Sequence, residues 1–390
     1  MKTIQTVFLS LFILLMASVS FAQVPELIRN NQFRKDARAA VDSLYNFNPK
    51  GADQKLAPWK QAYPSHPLWK LMDGMEFWWN ILSDLNDTSH DKKFLKMMRE
   101  ADYAASKLLY EQSGHIDALI IRAVANGYIA RQYSNRDEWV TSLSAARKAY
   151  SSYGYLQDAD VDLADLKMGE GLKLYYSAYL PEAYPAVKTV SWFLPDGDKQ
   201  QGLKYLREAA KTAIFARGEA IYFLGNINYN YEKKYDKALQ NFQTLYDNYP
   251  NNNYYARLLV KNYYKMGRYD EALRVINESL ARWSEKDLAF ENVLREELLF
   301  WKGRILYRNN EYDEAASFFE QSLQLSKKLP RTRYRDFYAA SAYYSGSVLQ
   351  SNGDEDEAAR YFKIVLDAKT GDGYKKMARR KLQNIRAEQQ

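Results

Sequence analysis

The chain has 390 residues, 47% of them hydrophobic and 26% charged. Its mean hydropathy of −0.56 fits neither a disordered tail nor a protein of many membrane spans. Its 55 Lys and Arg against 48 Asp and Glu leave +7, a small excess over interleaved charges, whereas nucleic-acid binders cluster their cations on one face. Cysteine is absent, which excludes a lipoprotein cysteine, disulfides and thiol chemistry.

In chain order, Lys2, the apolar run 7–16 and the small residues Ser20 and Ala22 predict a signal peptide over residues 1–22, cleaved before Gln23. The expected location is therefore the periplasm or the medium outside a bacterial cell. No later stretch is apolar over the ~20 residues a bilayer span needs, so the mature chain is not expected to be an integral membrane protein. Residues 23–195 carry apolar side chains at helical spacing, with aromatic runs at 69–79 and 172–184. Helix pairs around 91–112, 115–132 and 137–152 read as degenerate repeats.

From residue 196 to 371 the repeat becomes explicit. Tyr235-Asp-Lys-Ala238, Tyr269-Asp-Glu-Ala272, Tyr312-Asp-Glu-Ala315 and Glu355-Asp-Glu-Ala358 recur with alanine spacings of 34, 43 and 43 residues. Four residues after each alanine stands a large apolar group: Phe242, Ile276, Phe319 and Phe362. About twelve residues before it stands a close-contact position, in Leu224-Gly225, Leu259-Val260, Lys302-Gly303 and Ser345-Gly346. One face of each second helix thus offers a notch beside a knob. Residues 372–390 predict a capping helix, with Tyr374, Met377, Ala378, Leu382 and Ile385 on its apolar face and Lys375, Lys376, Arg379, Arg380 and Lys381 largely off it. An anionic surface contact is the alternative use of that basic face.

These offsets, with Gly267 and Gly353 at turns and Pro250 closing one unit, resemble tetratricopeptide repeats in an exported bacterial member. Gly202, Leu206 and Ala209 look like the second helix of one further unit. The middle region, from Gly169-Glu-Gly171 to Gly202, faintly resembles the eukaryotic tetratricopeptide family linked to lipid droplets and inclusion-body clearance. The resemblance implies an all-α, right-handed solenoid of antiparallel helix pairs whose first helices line a concave groove. Projected onto this chain, that groove contains Tyr222, Asn226 and Tyr229, then Arg257, Lys261 and Tyr264, then Phe300, Arg304, Tyr307 and Arg308, then Tyr343, Ser347 and Gln350. Aromatic and cationic, it suits an extended protein or peptide partner bearing acidic groups or a free C-terminal carboxylate.

Enzymatic chemistry finds little support. His66, His90 and His115 stand in separate segments without metal-ligand spacing, so neither a metal nor another cofactor is expected. The run Ser89-His-Asp-Lys92 with Tyr133-Ser-Asn135 and Lys369-Thr-Gly371 matches the short motifs of penicillin-binding serine enzymes, but that chemistry needs Lys-Thr-Gly on a strand, and here a turn between helices is predicted. Glu296 and Glu297 are read as helix-start acids. The expectation is a non-enzymatic binding scaffold, the alternatives being a glycan binder or an envelope enzyme on a helical frame.

Overall fold

The computed structural model describes residues 23–159, 163–184, 196–283 and 291–388. The predicted signal peptide and residues 185–195 of the middle region lie outside the described residues. Those described are all-α, without a strand: α1 Asn31–Tyr45, α2 Pro49–Ala62, α3 Leu68–Met75, α4 Trp78–Ser83, α5 Asp91–Glu111, α6 Ile116–Ser134, α7 Trp139–Gln157, α8 Leu166–Ala183, α9 Lys199–Thr212, α10 Arg217–Asn226, α11 Tyr235–Asn248, α12 Asn253–Lys265, α13 Tyr269–Trp283, α14 Glu291–Arg308, α15 Tyr312–Lys328, α16 Asp336–Ser351, α17 Glu355–Asp367 and α18 Asp372–Glu388. Each helix from α8 to α18 packs on its chain neighbour, which makes an α-solenoid of antiparallel pairs.

The notch and knob explain the nesting. Ala238, Ala272, Ala315 and Ala358 are all fully buried, as are Ile276, Phe319 and Phe362, with Phe242 nearly so. A Cβ added to Gly225 would stand 2.4 Å from the Phe242 ring, one on Gly303 2.8 Å from Phe319, and one on Gly346 3.0 Å from Phe362. Contacts that short exclude a side chain unless something shifts. In the unit where the notch holds Val260, the knob is Ile276 rather than Phe, both fully buried in one cluster. A larger residue on one helix is offset by a smaller one on the other, as close packing requires.

The turns repeat as closely. Lys233, Gly267, Asn310 and Gly353 each lie five residues before the repeat alanine, and each adopts positive φ, between 55° and 84°. Just beyond, Arg268 N–H donates to Tyr263 O, Glu311 N–H to Leu306 O and Asp354 N–H to Leu349 O, each at 2.9 Å, closing the left-handed helix ends. The first unit has one extra residue between notch and alanine. The chain absorbs it as a π-helical turn, Ile227–Tyr231, in which Glu232 N–H donates to Ile227 O at 2.9 Å.

The N-terminal third does not extend the stack straight outward but reaches back onto it. Asn252 Nδ2 donates to Tyr45 O at 2.7 Å, Tyr249 OH donates to Asp42 at 2.7 Å, and the Trp79 ring meets those of Tyr254 and Tyr255 at 5.8 and 5.7 Å. At the other end α18 buries Ala378 and Ile385 against α16 and α17. Met377, read as part of its apolar face, is exposed instead. His115 caps α6, its Nδ1 accepting from Ala118 N–H at 3.3 Å. Lys369-Thr-Gly371 forms the turn before α18, with Gly371 at φ 74°, rather than a strand.

Candidate functional site

The first helices of successive pairs touch directly, α12 against α14 and α14 against α16, which sets them on the tighter, inner side of the stack. The projected groove residues stand on this wall, and the structure divides them into three groups.

At the wall's N-terminal edge the chain covers its own surface. Tyr222 OH lies 2.9 Å from Tyr254 OH, and the Arg131 guanidinium of α6 sits 5.1 Å from the Tyr222 ring while pairing with Glu219 at 3.2 Å. Asn226 is half-buried and bonds within its own helix, its Nδ2 donating to Tyr222 O at 2.9 Å. Arg257 stacks 4.2 Å over the Tyr254 ring and pairs with the buried Glu297 at 3.4 Å; Lys261 reaches the same carboxylate at 3.9 Å. Beside them Arg335 binds Asp84 at 2.8 Å and Glu296 at 2.8 Å, and Ser326 Oγ also donates to Glu296. A recess of about 160 Å³ lies where Leu82–Asn86 meets Arg257, Glu297 and Arg335. Burial pushes the Glu296 carboxyl above its ordinary value, against the pull of Arg335 and Ser326. Glu296 and Glu297 are therefore ion-pair partners well inside α14, not the helix-start acids expected: Arg257 and Lys261 of the wall face Glu297, and Arg335 of the loop before α16 faces Glu296.

Phe300 leaves the groove set. It is 3% exposed, with its ring 5.2 Å from Phe337 and 6.0 Å from Phe319, so it holds one repeat to the next. Tyr229, in the π turn, also packs inward, 5.5 Å from Tyr235 and 6.3 Å from Phe242.

The C-terminal halves of the same helices bring the remaining residues together around Arg304. Its Nη2 donates to Tyr264 OH at 3.0 Å, and its guanidinium lies 4.1 Å from the Tyr344 ring. Tyr264 packs on Trp301 at 4.7 Å, Tyr307 on Tyr344 at 5.3 Å, and Tyr343 on Tyr374 of α18 at 5.6 Å. Arg308, one turn beyond Arg304, is exposed and lies 5.1 Å from the Tyr269 ring. Tyr264, Arg304, Tyr307 and Tyr343 are half-buried. This edge is a framework of rings holding two guanidinium groups, able to pair with a carboxylate and to stack on a flat or apolar group.

Sequence reasoning missed Glu219, Arg335 and the rings of Trp301 and Tyr344, and it gave Glu297 and Tyr374 other roles. A signal existed for two of them: Glu219 and Glu297 stand at the same offset, six residues before Gly225 and Gly303. Arg335 has no such mark, since it lies in a loop and its partner is remote. Among the described residues no three His, Asp or Glu side chains converge as a metal site, and no helix is long and apolar enough to cross a membrane.

Nested helical hairpins with a partly self-covered inner wall define a helical-repeat protein. Models of the tetratricopeptide repeat match residues 230–282 and 257–330. The stretch from α11 through α15 thus carries tetratricopeptide repeats. No curated protein matches the sequence. Among solved structures it is similar to yeast Tom70 (13% identity, 83% of this chain and 65% of that one, TM-score 0.45). It is also similar to a tetratricopeptide repeat protein from Parabacteroides merdae (14%, 80% and 99%, 0.34) and to MamA from Desulfovibrio magneticus (16%, 54% and 96%, 0.37). At these identities and scores none of the three bears on what this chain binds.

Proposed function

We propose that the protein is an exported, non-enzymatic tetratricopeptide-repeat scaffold. In this reading an extended segment of a protein partner lies along Tyr264, Arg304, Tyr307, Arg308 and Tyr343, with a carboxylate paired to the arginines. The observation that carries the reading is the posture of Arg304, fixed between the Tyr264 hydroxyl and the Tyr344 ring with exposed Arg308 one turn away. A guanidinium held in place loses less freedom on binding than a loose lysine would. The covered edge narrows the choice of surface, since Arg257 and Lys261 already face Glu297 and Tyr222 lies beneath Arg131. Repeat scaffolds serve many partners, so the fold itself names none.

The test is capture from cell-envelope extracts by the purified mature chain, compared with Arg304→Ala and Arg308→Ala variants. A specific protein retained by wild type and lost by both variants supports the scaffold. Capture that is indifferent to these arginines places the partner elsewhere, and turnover of a cell-wall or glycan substrate by the purified chain favours an enzyme. Sequencing the exported protein's N-terminus tests the cleavage, with Gln23 the expected first residue.

A further inference from the structure

The α7 helix turns an apolar face to solvent that the scaffold reading does not use. Its inner side is ordinary: Ala145, Ser152, Tyr153 and Leu156 are buried, and Ser142 Oγ donates to Ala130 O of α6 at 2.8 Å. Its outer side carries Trp139, Val140 and Leu143, which are 59%, 84% and 63% exposed, with Tyr150 and Tyr155 also exposed. Trp139, Val140, Leu143, Arg147 and Tyr150 occupy one contiguous side of the helix, opposite the buried stripe. Large exposed side chains scattered singly are normal; four along one side of a helix, three of them within its first five residues, mark a contact surface.

The charges on this helix indicate what the surface meets. Arg147 and Lys148 are exposed and make no ion pair among the described residues. From Trp139 to Gln157 there is no Asp or Glu, although 48 acids are distributed along the chain; the nearest are Asp137 and Glu138 before the helix and Asp158 after it. A helix with Trp, Val and Leu outward, two cations beside them, tyrosines at its far end and no carboxylate between has the make-up of one that lies in the plane of a lipid interface.

We propose that α7 docks the protein on an anionic lipid surface, Trp139, Val140 and Leu143 entering the headgroup region while Arg147 and Lys148 pair with lipid phosphates. The protein then lies on the membrane without crossing it, and the Arg304 edge stays available to a partner. This contact is independent of the groove reading and fails or stands separately.

Co-sedimentation of the full mature chain with vesicles tests it, using phosphatidylcholine mixed with phosphatidylglycerol and, for comparison, phosphatidylcholine alone. Wild type is expected to pellet with the anionic vesicles and to be released by salt. Trp139→Ser with Leu143→Ser should weaken binding about tenfold or more. Arg147→Gln with Lys148→Gln should remove the preference for anionic lipid. Both sites face solvent, so thermal melting should match wild type and distinguish lost docking from lost folding. No pelleting of wild type overturns the proposal, as does full retention by the Trp139/Leu143 variant. A loss confined to Lys376→Gln, Arg379→Gln and Arg380→Gln moves the contact to α18 and also overturns it. Sedimentation velocity supplies the remaining outcome: a wild-type dimer that the Trp139/Leu143 variant dissolves gives the face to a second copy instead.

Discussion

Asp84 and Arg335 stand 251 residues apart in sequence, yet their carboxylate and guanidinium meet at 2.8 Å with both side chains buried. Arg335 spans from Asp84, at the end of α4, to Glu296, inside α14, so one side chain ties the N-terminal third to two consecutive repeats. Removing it strands two carboxylates in a dry setting. Arg335→Ala is expected to cost about 3–5 kcal/mol in urea denaturation, since an unpaired buried charge costs far more than the pair contributes. Asp84→Asn with Glu296→Gln on the Arg335→Met background should recover most of that loss; failure to recover would show that shape rather than charge holds the junction.

The same network gives stability a pH dependence with a definite sign. Burial is the largest influence on Glu296 and raises its pKa above the ordinary 4.5, outweighing the opposing hydrogen bonds and charge of Arg335. A folded-state value above the unfolded one means that the folded chain binds the proton more tightly. The stabilisation from Glu296 is then complete below the ordinary glutamate range and is lost as pH rises through its folded value. The stability of wild type minus that of Glu296→Gln, from urea titrations at successive pH values, should fall as pH rises from about 4.5 upward. A rise over the same interval would mean that Arg335 outweighs desolvation.

The turn positions allow a gain of stability. Lys233 and Asn310 hold φ of 55° and 67° where the sister units use Gly267 and Gly353. A side chain with a Cβ pays about 1–2 kcal/mol in that region, partly offset by the extra freedom glycine brings to the unfolded chain. Lys233→Gly should therefore raise stability by up to about 1 kcal/mol. Asn310→Gly should gain less, because asparagine tolerates this conformation. Gly267→Ala should lose about 1 kcal/mol despite open space around its Cβ, the penalty coming from φ alone. Thermal melts of the three variants check the order.

The repeat was legible because its determinants are local: notch, knob and turn lie within some twenty residues of one another and recur in register. Groove chemistry was legible only in part. Periodicity placed Arg304 and Arg308 on the first helices, but it also placed Phe300 there, at the same offset from the notch as Tyr222, Arg257 and Tyr343. Which residue at that offset stays accessible depends on the next pair, and Phe337 covers Phe300. The self-covered edge was invisible for a different reason. Nothing in the local pattern of Trp78–Ser83 says that it lands on α12, far along the chain, at Tyr254 and Tyr255. Tyr374 belongs to both problems, since its helix was expected only as a cap while its ring stands beside Tyr343 in the framework.

The pairing of notch size with knob size makes a quantitative prediction. Gly303 faces Phe319, and a Cβ there would come within 2.8 Å of the ring and 3.2 Å of the Ala315 carbonyl oxygen, so Gly303→Val forces the ring or the helix to move. Overpacking of this kind costs about 1–3 kcal/mol. The chain contains its own remedy in Val260 and Ile276, where a branched notch is matched by a smaller knob and both are fully buried. Phe319→Ile alone should also destabilise, by leaving space where the ring lay and by loosening Tyr344, whose ring stacks on Phe319 at 5.1 Å. Made together, the two changes reproduce the combination already used one unit earlier, and the double variant should be more stable than the sum of the single losses implies. The expected coupling is at least about 1 kcal/mol in a double-mutant cycle measured by urea denaturation. Additive losses would mean that the two helices are spaced by other contacts and that the matched sizes of Val260 and Ile276 are incidental.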